Sequence, residues 1–277
     1  MIRAMWTAAT GMQAQQTGID TIANNLANVN TTGFKQSRTD FQDLLYANLR
    51  PAGSETSQSG TMVPVGIQLG HGVKVVGVSK EFSQGSMVQT NEAPNNVDMA
   101  INGQGFFQIR LPDGRTAYTR DGSFKTTPTS AGATTANITT ADGNPVIGGD
   151  SLSYSPSKGE ERIVVAPDGS IQVFLNNTTS APRNGGQIEL ANFVNPAGLT
   201  AIGNNLFVES PASGAPFVSK PNENGMGSLV QHHLEQSNVN MVTEMVNMIT
   251  AQRAYEIGTK SIQTADTVLG LVTQLKR

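Results

Sequence analysis

The chain has 277 residues, of which only 14% are charged, and its formal net charge is -3. Because it has no basic patch, this composition argues against a nucleic-acid partner, and the absence of cysteine excludes disulfides, thiol catalysis and cysteine-based metal sites. No apolar run is long enough to span a membrane, and the first residues lack the apolar core of a secretory signal. We therefore expect a protein that neither inserts into a membrane nor carries a cleaved signal peptide.

Residues 2 to about 30 predict a long helix with a heptad seam. Alternating steps of three and four keep one side of a helix against a partner helix, and the positions with this spacing are Ile2, Met5, Ala9, Met12, Gln16, Ile19, Ala23 and Leu26. Gly11 and Gly18 share one helical position, where they would either admit another backbone or simply be tolerated. Asparagines crowd the end of the helix, and we expect Gly33 to be its left-handed terminator.

The stretch that follows predicts a change from helix to loop. Phe41, Leu44 and Leu45 indicate a short helical continuation. From there to about residue 66 the chain is rich in Pro, Gly and Ser, which is typical of a loop or a flexible linker.

Residues 71 to 234 predict β-structure. Val73 to Val78 and Met87 to Gln89 form apolar runs of strand length, and alternation from Val97 to Ile101 indicates a half-buried strand. Two Pro-Asp-Gly turns, at residues 112–114 and 167–169, predict two hairpins. Short strands at this spacing favour an irregular, partly closed β-domain, in which residues 126–150 look like an insertion or a diverged loop.

The last forty residues, Asn238 to Arg277, contain no proline and predict a second long helix, capped by Asn240. Its predicted seam comprises Met241, Met245, Met248, Gln252, Tyr255, Thr259, Ile262, Asp266 and Leu269. Polar side chains within this seam indicate that the helix needs several neighbours. One interpretation is the core helix of a bundle, and the other is a helix that packs against copies of the same chain.

Both ends of the chain resemble one protein family. Asn24 to Lys35, which reads NNLANVNTTGFK, resembles the N-terminal signature of the bacterial flagellar rod and hook proteins. Ser237 to Asn240 and Gln252 to Glu256, with Lys260, resemble the closing signature of that family, and the GQGFF motif at residues 103–107 agrees with it. The likeness is specific over about residues 1–125 and 188–277, and weak between them.

The resemblance, together with the patterns above, predicts an α+β fold in which the terminal helices pair as a coiled coil around a central irregular all-β domain. Residues 1–35 and 238–277 would form the inner tube, and residues 91–214 the outer β-domain. Residues 36–90 and 215–237 would connect the two. Within the connection, the inserted stretch 46–66 resembles the distal rod member of the family.

The resemblance also implies a mechanical function. The chain would be a structural subunit of the distal rod that polymerises helically into a rigid hollow drive shaft, transmits torque and encloses the export channel. It would be exported without a cleaved signal peptide to the flagellar basal body, into the rod that spans the periplasm. Its partners would be copies of itself, proximal rod proteins, the hook protein and the surrounding ring or bushing proteins, with no cofactor and no metal.

The seams and signatures together define the expected subunit interface. It comprises Met5, Met12, Ile19, Asn24, Asn25, Leu26, Asn28, Gly33, Met241, Met245, Met248, Gln252, Tyr255, Glu256, Lys260, Ile262 and Leu269. The helix-end asparagines and the polar residues of the second seam would fix the register, because a polar seam residue disfavours wrong registers.

Other functions are less well supported by the sequence. Another rod or hook subunit is the nearest alternative, and a secreted cell-wall-binding module is a more distant one. An enzyme would need converging titratable groups, but Asp113, Asp121 and Asp168 each precede a glycine and read as turn residues. The adjacent His232 and His233 would point to opposite faces of a strand, which disfavours a metal site.

Overall fold

The computed structural model describes residues 2–53, 64–91, 96–129, 135–152, 161–175 and 183–275. Helix α1 (Ile2–Ala27) begins the chain, helix α2 (Met241–Leu275) ends it, and strands occupy the centre, so the fold is α+β as predicted. The chain divides into two compact units. Unit 1 comprises residues 1–27, 37–80 and 240–277, and unit 2 comprises residues 28–36 and 81–239.

The helices begin and end close to the predicted positions. Helix α2 starts at Met241 because the side chain of Asn240 caps it, accepting hydrogen bonds from the backbone N–H groups of Val242 and Thr243 at 3.1 and 3.2 Å. At 35 residues, α2 is about 50 Å long. The last two residues of its predicted span lie outside the described residues.

Gly33 does not terminate helix α1, which corrects the prediction. The helix ends at Ala27, and Gly33 lies six positions later with a φ of 66°. Its N–H donates to the backbone oxygen of Glu235 at 2.8 Å, and a Cβ placed there would lie 2.5 Å from the backbone nitrogen of Asp121. Glycine is therefore required by close backbone packing within unit 2, as well as by its positive φ.

Two antiparallel pairs of strands, which follow one another along one ribbon, complete unit 1. Its strands are β1 (Ser37–Asp43), β2 (Tyr46–Arg50), β3 (Ile67–Gly70) and β4 (Val73–Lys80). Strand β1 pairs antiparallel with β4, and β2 with β3, so the four strands continue one another along a single ribbon.

The predicted helical continuation through Phe41 is therefore wrong, and so is the loop prediction for residues 46–50. Cross-strand pairing, together with packing of the Phe41 ring 3.6 Å from the Cβ position of Gly18, outweighs the local helical preference. Residues 51–53 and 64–66 of the predicted loop are turns or irregular, and residues 54–63 lie outside the described residues.

In its described residues, unit 2 contains sixteen short strands. They are β5 (Met87–Gln89), β6 (Asn96–Asn102), β7 (Phe106–Arg110), β8 (Thr116–Thr119), β9 (Ser123–Pro128), β10 (Ala136–Thr139), β11 (Pro145–Leu152), β12 (Glu161–Val165), β13 (Ser170–Leu175), β14 (Arg183–Gln187), β15 (Leu190–Asn192), β16 (Thr200–Gly203), β17 (Leu206–Val208), β18 (Phe217–Ser219), β19 (Ser228–Gln231) and β20 (His233–Glu235).

These strands form one large antiparallel sheet and two smaller ones. The large sheet runs in the order β16-β17-β8-β7-β11-β10-β9-β6-β19, with β15 paired to β7 and β18 paired to β15. A three-stranded sheet has the order β12-β13-β14, and β5 pairs with β20. Both predicted hairpins are confirmed, as β7–β8 and β12–β13, with positive φ at Gly114 and Gly169.

Two predictions for this region are corrected by the structure. Residues 126–150, which looked like an insertion or a diverged loop, are not a loop in their described part, because they contain the end of β9, strand β10 and most of β11. Ile138 and Val146 from these strands are buried in the core. The strand at residues 97–101 is buried on both faces rather than on one.

Apolar side chains from the large sheet and the three-stranded sheet fill the centre of unit 2. Buried members include Met99, Phe107, Phe124, Ile138 and Leu190. A second, aromatic cluster packs edge to face, with ring centroids 4.8 Å apart for Tyr118 and Phe193. No helix in the described ranges is both long and apolar enough to cross a membrane.

Candidate functional site

Helices α1 and α2 pack along each other in unit 1. On α2 a row of buried and half-buried positions has the spacing of alternating steps of four and three, and it comprises Glu244, Met248, Ala251, Gly258, Ile262, Ala265 and Leu269. Tyr255, which is 36% exposed, occupies the remaining position of this row, and the half-buried Thr259 lies beside it. On α1 the corresponding half-buried row is Met5, Ala8, Met12, Gln15, Ile19, Ile22 and Leu26. A Cβ at Gly258 would lie 2.6 Å from Cγ of Met12, so the two helices approach closely there.

Half of each predicted seam agrees with these rows, and the other half is displaced by one residue. Met5, Met12, Ile19 and Leu26 of α1, and Met248, Ile262 and Leu269 of α2, are half-buried as members of the rows. The exposed Gln252 and Asp266 do not lie in the row, which instead contains the small residues Ala251 and Ala265. These two polar residues, which the sequence placed in the seam, therefore lie beside the contact between the helices.

The remaining predicted interface residues are distributed over both units. On α2, the exposed ones are Met241, Met245, Tyr255, Glu256 and Lys260, together with Gln252. Asn24 is exposed at the end of α1, Asn28 is half-buried in unit 2, and Gly33 is buried there. The structure thus brings the two seams together in unit 1 but does not place all seventeen residues on one surface.

Helix α2 exposes a large amount of apolar surface. Val242, Val246, Ile249 and Ile257 are between 54% and 71% exposed, and Leu271 and Val272 are similarly open. On α1, Ile2 and Trp6 are also exposed. Large apolar side chains exposed together along one helix mark a site of association.

An apolar groove lies alongside the helix contact within unit 1. It has a volume of about 450 Å3 and is bordered by small side chains of both helices and by the ribbon, among them Ala8, Gly11, Ala14, Ala254, Gly258 and Phe41. No atom lies within 4 Å of the Cβ position of Gly11. Gly11 therefore leaves open space in the groove, whereas Gly18 is buried against Phe41.

Asn25 joins three elements of unit 1 at the end of α1. Its amide donates to the backbone oxygen of Ser37 at 2.8 Å and accepts from the N–H of the same residue at 2.9 Å. The amide also donates to Oε2 of Glu244 at 2.9 Å, and Asn247 donates to Oε1 of that carboxylate at 3.1 Å. Asn25 is therefore buried in a joint that ties the end of α1 to the starts of β1 and α2.

A second buried joint lies in unit 2. Nζ of Lys35 is 2.6 Å from Oε1 of Glu235 and donates to the backbone oxygen of Ser83 at 2.7 Å. Arg120 approaches the other carboxylate oxygen at 3.4 Å and donates to the backbone oxygen of Gly103 at 2.9 Å. The side chains of Lys35, Glu235 and Arg120 are 0%, 1% and 4% exposed.

The electrostatics of this joint follow from its burial. Burial lowers the pKa of Lys35, the charge and hydrogen bond of Glu235 oppose that change, and the charge of Arg120 adds to it. Burial also lowers the pKa of Arg120, again opposed by Glu235. One carboxylate therefore balances two cations, with carbonyl oxygens as their further acceptors.

Asn238 ties the neighbouring segments of unit 2 together. Its Oδ1 accepts from the N–H of Gln36 at 2.7 Å, and its Nδ2 donates to the backbone oxygen of Glu81 at 2.9 Å. The N–H of Glu81 donates to the oxygen of Gln36 at 2.8 Å. The motifs that resembled family signatures thus contain the residues that hold each unit together.

The sequence interpretation missed three members of these joints. Glu235, Arg120 and Glu244 were not predicted to have buried partners. Their partners lie 115 to 219 residues away along the chain, so no local pattern could identify them. Asn25 and Lys35 were marked by the N-terminal signature alone.

Three family models match the chain. They are "Flagella basal body rod protein" over residues 5–35, "Flagellar hook protein FlgE/F/G D1 domain" over residues 100–173, and "Flagellar basal body rod FlgEFG protein C-terminal" over residues 230–275. They cover both terminal signatures and part of the β-unit between them.

Curated relatives extend the similarity to the whole chain. The flagellar basal-body rod protein FlgG of Borreliella burgdorferi is 46% identical over 100% of both chains. That of Buchnera aphidicola subsp. Baizongia pistaciae is 47% identical over 97% of this chain and 98% of its own. That of Caulobacter vibrioides is 44% identical over 99% of this chain and 100% of its own.

These matches confirm the resemblance predicted from the two ends of the sequence. They also agree with the prediction that the chain is not an enzyme, since the matched proteins are components of a flagellar structure. With relatives at this identity over the full length, the chain belongs to the family of flagellar basal-body rod proteins FlgG.

Proposed function

We propose that this chain is a structural subunit of the bacterial flagellar distal rod. Many copies polymerise helically into a rigid hollow shaft that transmits torque and encloses the export channel. An open helical assembly requires heterologous contacts, in which one face of each subunit meets a different face of the next.

The exposed apolar surface of helix α2 carries this proposal. Val242, Val246 and Ile249 form a row along one side of the helix, and each is more than half exposed. Burying a side chain of this size yields about 1.5–3 kcal/mol, so a few such residues per contact favour association strongly when many copies are present. The full-length relatives named as rod proteins are consistent with this use of the surface.

Within each subunit, α1 and α2 pair as a coiled coil at the inner wall of the tube. The alternating rows of half-buried residues have the spacing of such a pair, and their small members permit close contact. The apolar groove beside the pair and the exposed row on α2 are the two faces that neighbouring copies bring together. Unit 2, which has its own core, forms the outer part of the shaft.

The interface comprises the exposed residues of the predicted set together with the α2 row. Met241, Met245 and Lys260 are exposed on α2, and neighbouring copies cover them, as they cover the exposed edge of Tyr255. The half-buried set members, among them Met12 and Met248, act indirectly by holding α1 against α2.

Membership of the rod-protein family supports the following further partners and the following export route for the subunit. The shaft joins proximal rod proteins at one end and the hook protein at the other, and ring or bushing proteins surround it. The subunit reaches the basal body through the flagellar export apparatus without cleavage of a signal peptide, and it acts in the rod that spans the periplasm.

The substitution Ile249→Asp tests the assembly surface. Ile249 is 56% exposed, so the monomer should fold normally, as judged by circular dichroism. Burying an unpaired carboxylate between copies costs several kcal/mol, so the concentration needed for polymerisation should rise about a hundredfold or more. Sedimentation and electron microscopy of the purified protein measure this concentration and the presence of tubes.

The control is Ala215→Asp, which introduces the same charge at an exposed position of unit 2, outside the α2 row, and should leave polymerisation unchanged. Tubes formed by Ile249→Asp at the wild-type concentration would exclude the α2 row from the interface. Met248→Asp and Leu26→Asp, at half-buried positions, should abolish polymerisation by separating the helices while unit 2 keeps its fold.

A further inference from the structure

Two sheets of unit 2 meet along the strands β12 and β19. In the described residues, no strand ladder joins them, since β19 ends the large sheet and β12 ends the three-stranded one. Strand β12 pairs with β13 on its inner edge, where Val164 lies opposite Gln172. Successive residues of a strand direct their N–H and C=O groups to opposite edges. Because Val164 bonds to β13, the N–H and C=O groups of Ile163 and Val165 point away from β13, toward β19.

The side chain of Gln231, the last residue of β19, occupies this edge. The N–H of Val165 donates to its Oε1 at 2.9 Å, and its Nε2 donates to the backbone oxygen of Ile163 at 2.8 Å. These two groups flank Val164, and a residue of a parallel neighbouring strand would bond the same pair. The amide of Gln231 thus substitutes for the missing strand.

One backbone hydrogen bond supports this contact. The N–H of Leu229, also in β19, donates to the oxygen of Pro167 at 3.2 Å. Ile163 and Val165 are 7% and 5% exposed. Without Gln231, an N–H and a C=O of buried residues would lose their partners, and a lost partner costs more when water cannot replace it.

The opposite edge of the three-stranded sheet closes against the large sheet through glycines. A Cβ on Gly186 of β14 would lie 2.6 Å from the backbone oxygen of Gly148 of β11, so the two backbones approach closely. The strands β11-β10-β9-β6-β19 and β12-β13-β14 therefore enclose one apolar core, to which the three-stranded sheet contributes Ile163, Val165, Ile171 and Val173.

We infer that the strands β12–β14 form a flap of the β-unit and that Gln231 is its clasp. Among the backbone and side-chain bonds of the described residues, one bidentate side chain and one backbone bond hold the flap along β19, whereas the strands within each sheet are joined by full ladders. Proteins open first where few hydrogen bonds must break together. The flap opens along this seam as one unit, which exposes its four core side chains, while the ladders of the large sheet stay paired.

Native-state amide hydrogen exchange of the full-length monomer tests this inference with Gln231→Leu. Leucine keeps much of the apolar volume and removes both hydrogen bonds. The amides of β12 and β13 should exchange roughly tenfold to a hundredfold faster, as expected for the loss of two hydrogen bonds across an opening surface. The amides of β6, β7 and β9 should keep their wild-type rates.

The matched control is Gln187→Leu. Gln187 lies on β14 and donates to the backbone oxygen of Asp168 at 3.1 Å, so its hydrogen bond stays inside the flap. In this variant, the amides of β12 and β13 should not show the joint acceleration of exchange that is expected for Gln231→Leu. If the leucine variant at 231 does not fold, Gln231→Asn retains an amide that is too short to span both groups, and it should give the same selective acceleration.

Two outcomes would overturn the inference. One is equal acceleration of the flap and the large sheet, which would mean that Gln231 affects only the global stability of the unit. The other is unchanged exchange at Val165 and along β12, which would mean that the side chain does not hold the seam closed.

Discussion

The buried charges of unit 2 do not contribute equally. Lys35 and Arg120 share the carboxylate of Glu235, and all three side chains are almost fully removed from water. Burying an ion costs several kcal/mol, and only a well-placed partner offsets that cost. Removal of the shared anion should therefore be far more damaging than removal of one of the two cations.

We expect Glu235→Gln to destabilise unit 2 by about 3–5 kcal/mol, because two buried cations then face each other without an anion. Lys35→Met should cost less, since Arg120 and Glu235 remain as a balanced pair 3.4 Å apart. Equilibrium unfolding in urea, followed by circular dichroism, measures both changes.

The exposed pair of Arg253 and Glu256 on α2 provides the control. Its atoms are 2.9 Å apart, but both side chains are more than half exposed, so Arg253→Ala should change stability by less than about 1 kcal/mol. If Glu235→Gln cost no more than Lys35→Met, the shared-anion interpretation would be wrong.

At the residue scale, the sequence marked one side of each joint without predicting the contacts that these residues make. The N-terminal signature marked Asn25, Gly33 and Lys35. Their partners are brought in by strands and helices distant in sequence, as with Glu244 and Glu235. Local pattern predicts which residues require a partner more readily than which partner they receive.

At the scale of elements, alternate positions of the predicted seam differ by one residue from the observed contact row in both helices. On α2 the predicted seam contained Gln252 and Asp266, whereas the contact row contains Ala251 and Ala265. On α1 the seam contained Ala9 and Ala23, whereas the row contains Ala8 and Ile22. Small residues bury little area and give a weak periodic signal, yet they determine how closely two helices can pack. The larger residues beside them, such as Val246 and Ile249, are left exposed.

The two glycines near the middle and end of α2 test this arrangement. Gly258→Ala should destabilise unit 1 by about 1–3 kcal/mol, because the new Cβ would lie 2.6 Å from Cγ of Met12 and force the helices apart. Thermal unfolding of the dilute monomer, followed by helical circular dichroism, measures the change.

Gly270→Ala is the matched control, since nothing lies within 4 Å of its Cβ position. Alanine is the better helix former by about 1 kcal/mol, so this variant should be more stable than the wild type. Stabilisation by both substitutions would show that α1 and α2 do not pack closely at Gly258.

The ribbon of unit 1 shows where local reasoning was insufficient. Strands β1 and β2 form although the apolar spacing of their residues favoured helix and loop, because pairing with β4 and β3 stabilises the extended conformation. In unit 2, by contrast, turn residues and alternation sufficed to predict both Pro-Asp-Gly hairpins. Short-range pairing is encoded locally, whereas pairing across some thirty residues is not.

At the scale of the whole molecule, the two units differ in how much of their apolar surface they bury. Unit 2 has a well-filled core of its own. Unit 1 leaves large side chains exposed on both helices and on the ribbon, including Leu45, Leu49 and Ile67. Such a unit is suited to association with further copies, and the ribbon is then a second contact beside the helices.

The segment between β2 and β3, residues 51–66, should determine how stiff the assembled shaft is. Replacing this segment by an Asn-Gly turn keeps the antiparallel pairing of β2 with β3, so the monomer should fold and polymerise. If the segment stiffens the shaft by contacting neighbouring copies, as we propose, tubes built without it should be flexible or malformed. Electron micrographs give their curvature and persistence length.

A comparable edit in unit 2 is the control. Replacing the exposed turn between β7 and β8 by Asn-Gly alters a loop of the same kind but should leave the tubes straight, because that turn lies outside the surface assigned to the shaft contacts. Straight, stiff tubes from the shortened ribbon would favour a rod or hook subunit other than the distal one. In that case stiffness would arise from the helix contacts alone, and the ribbon would only connect the two helices.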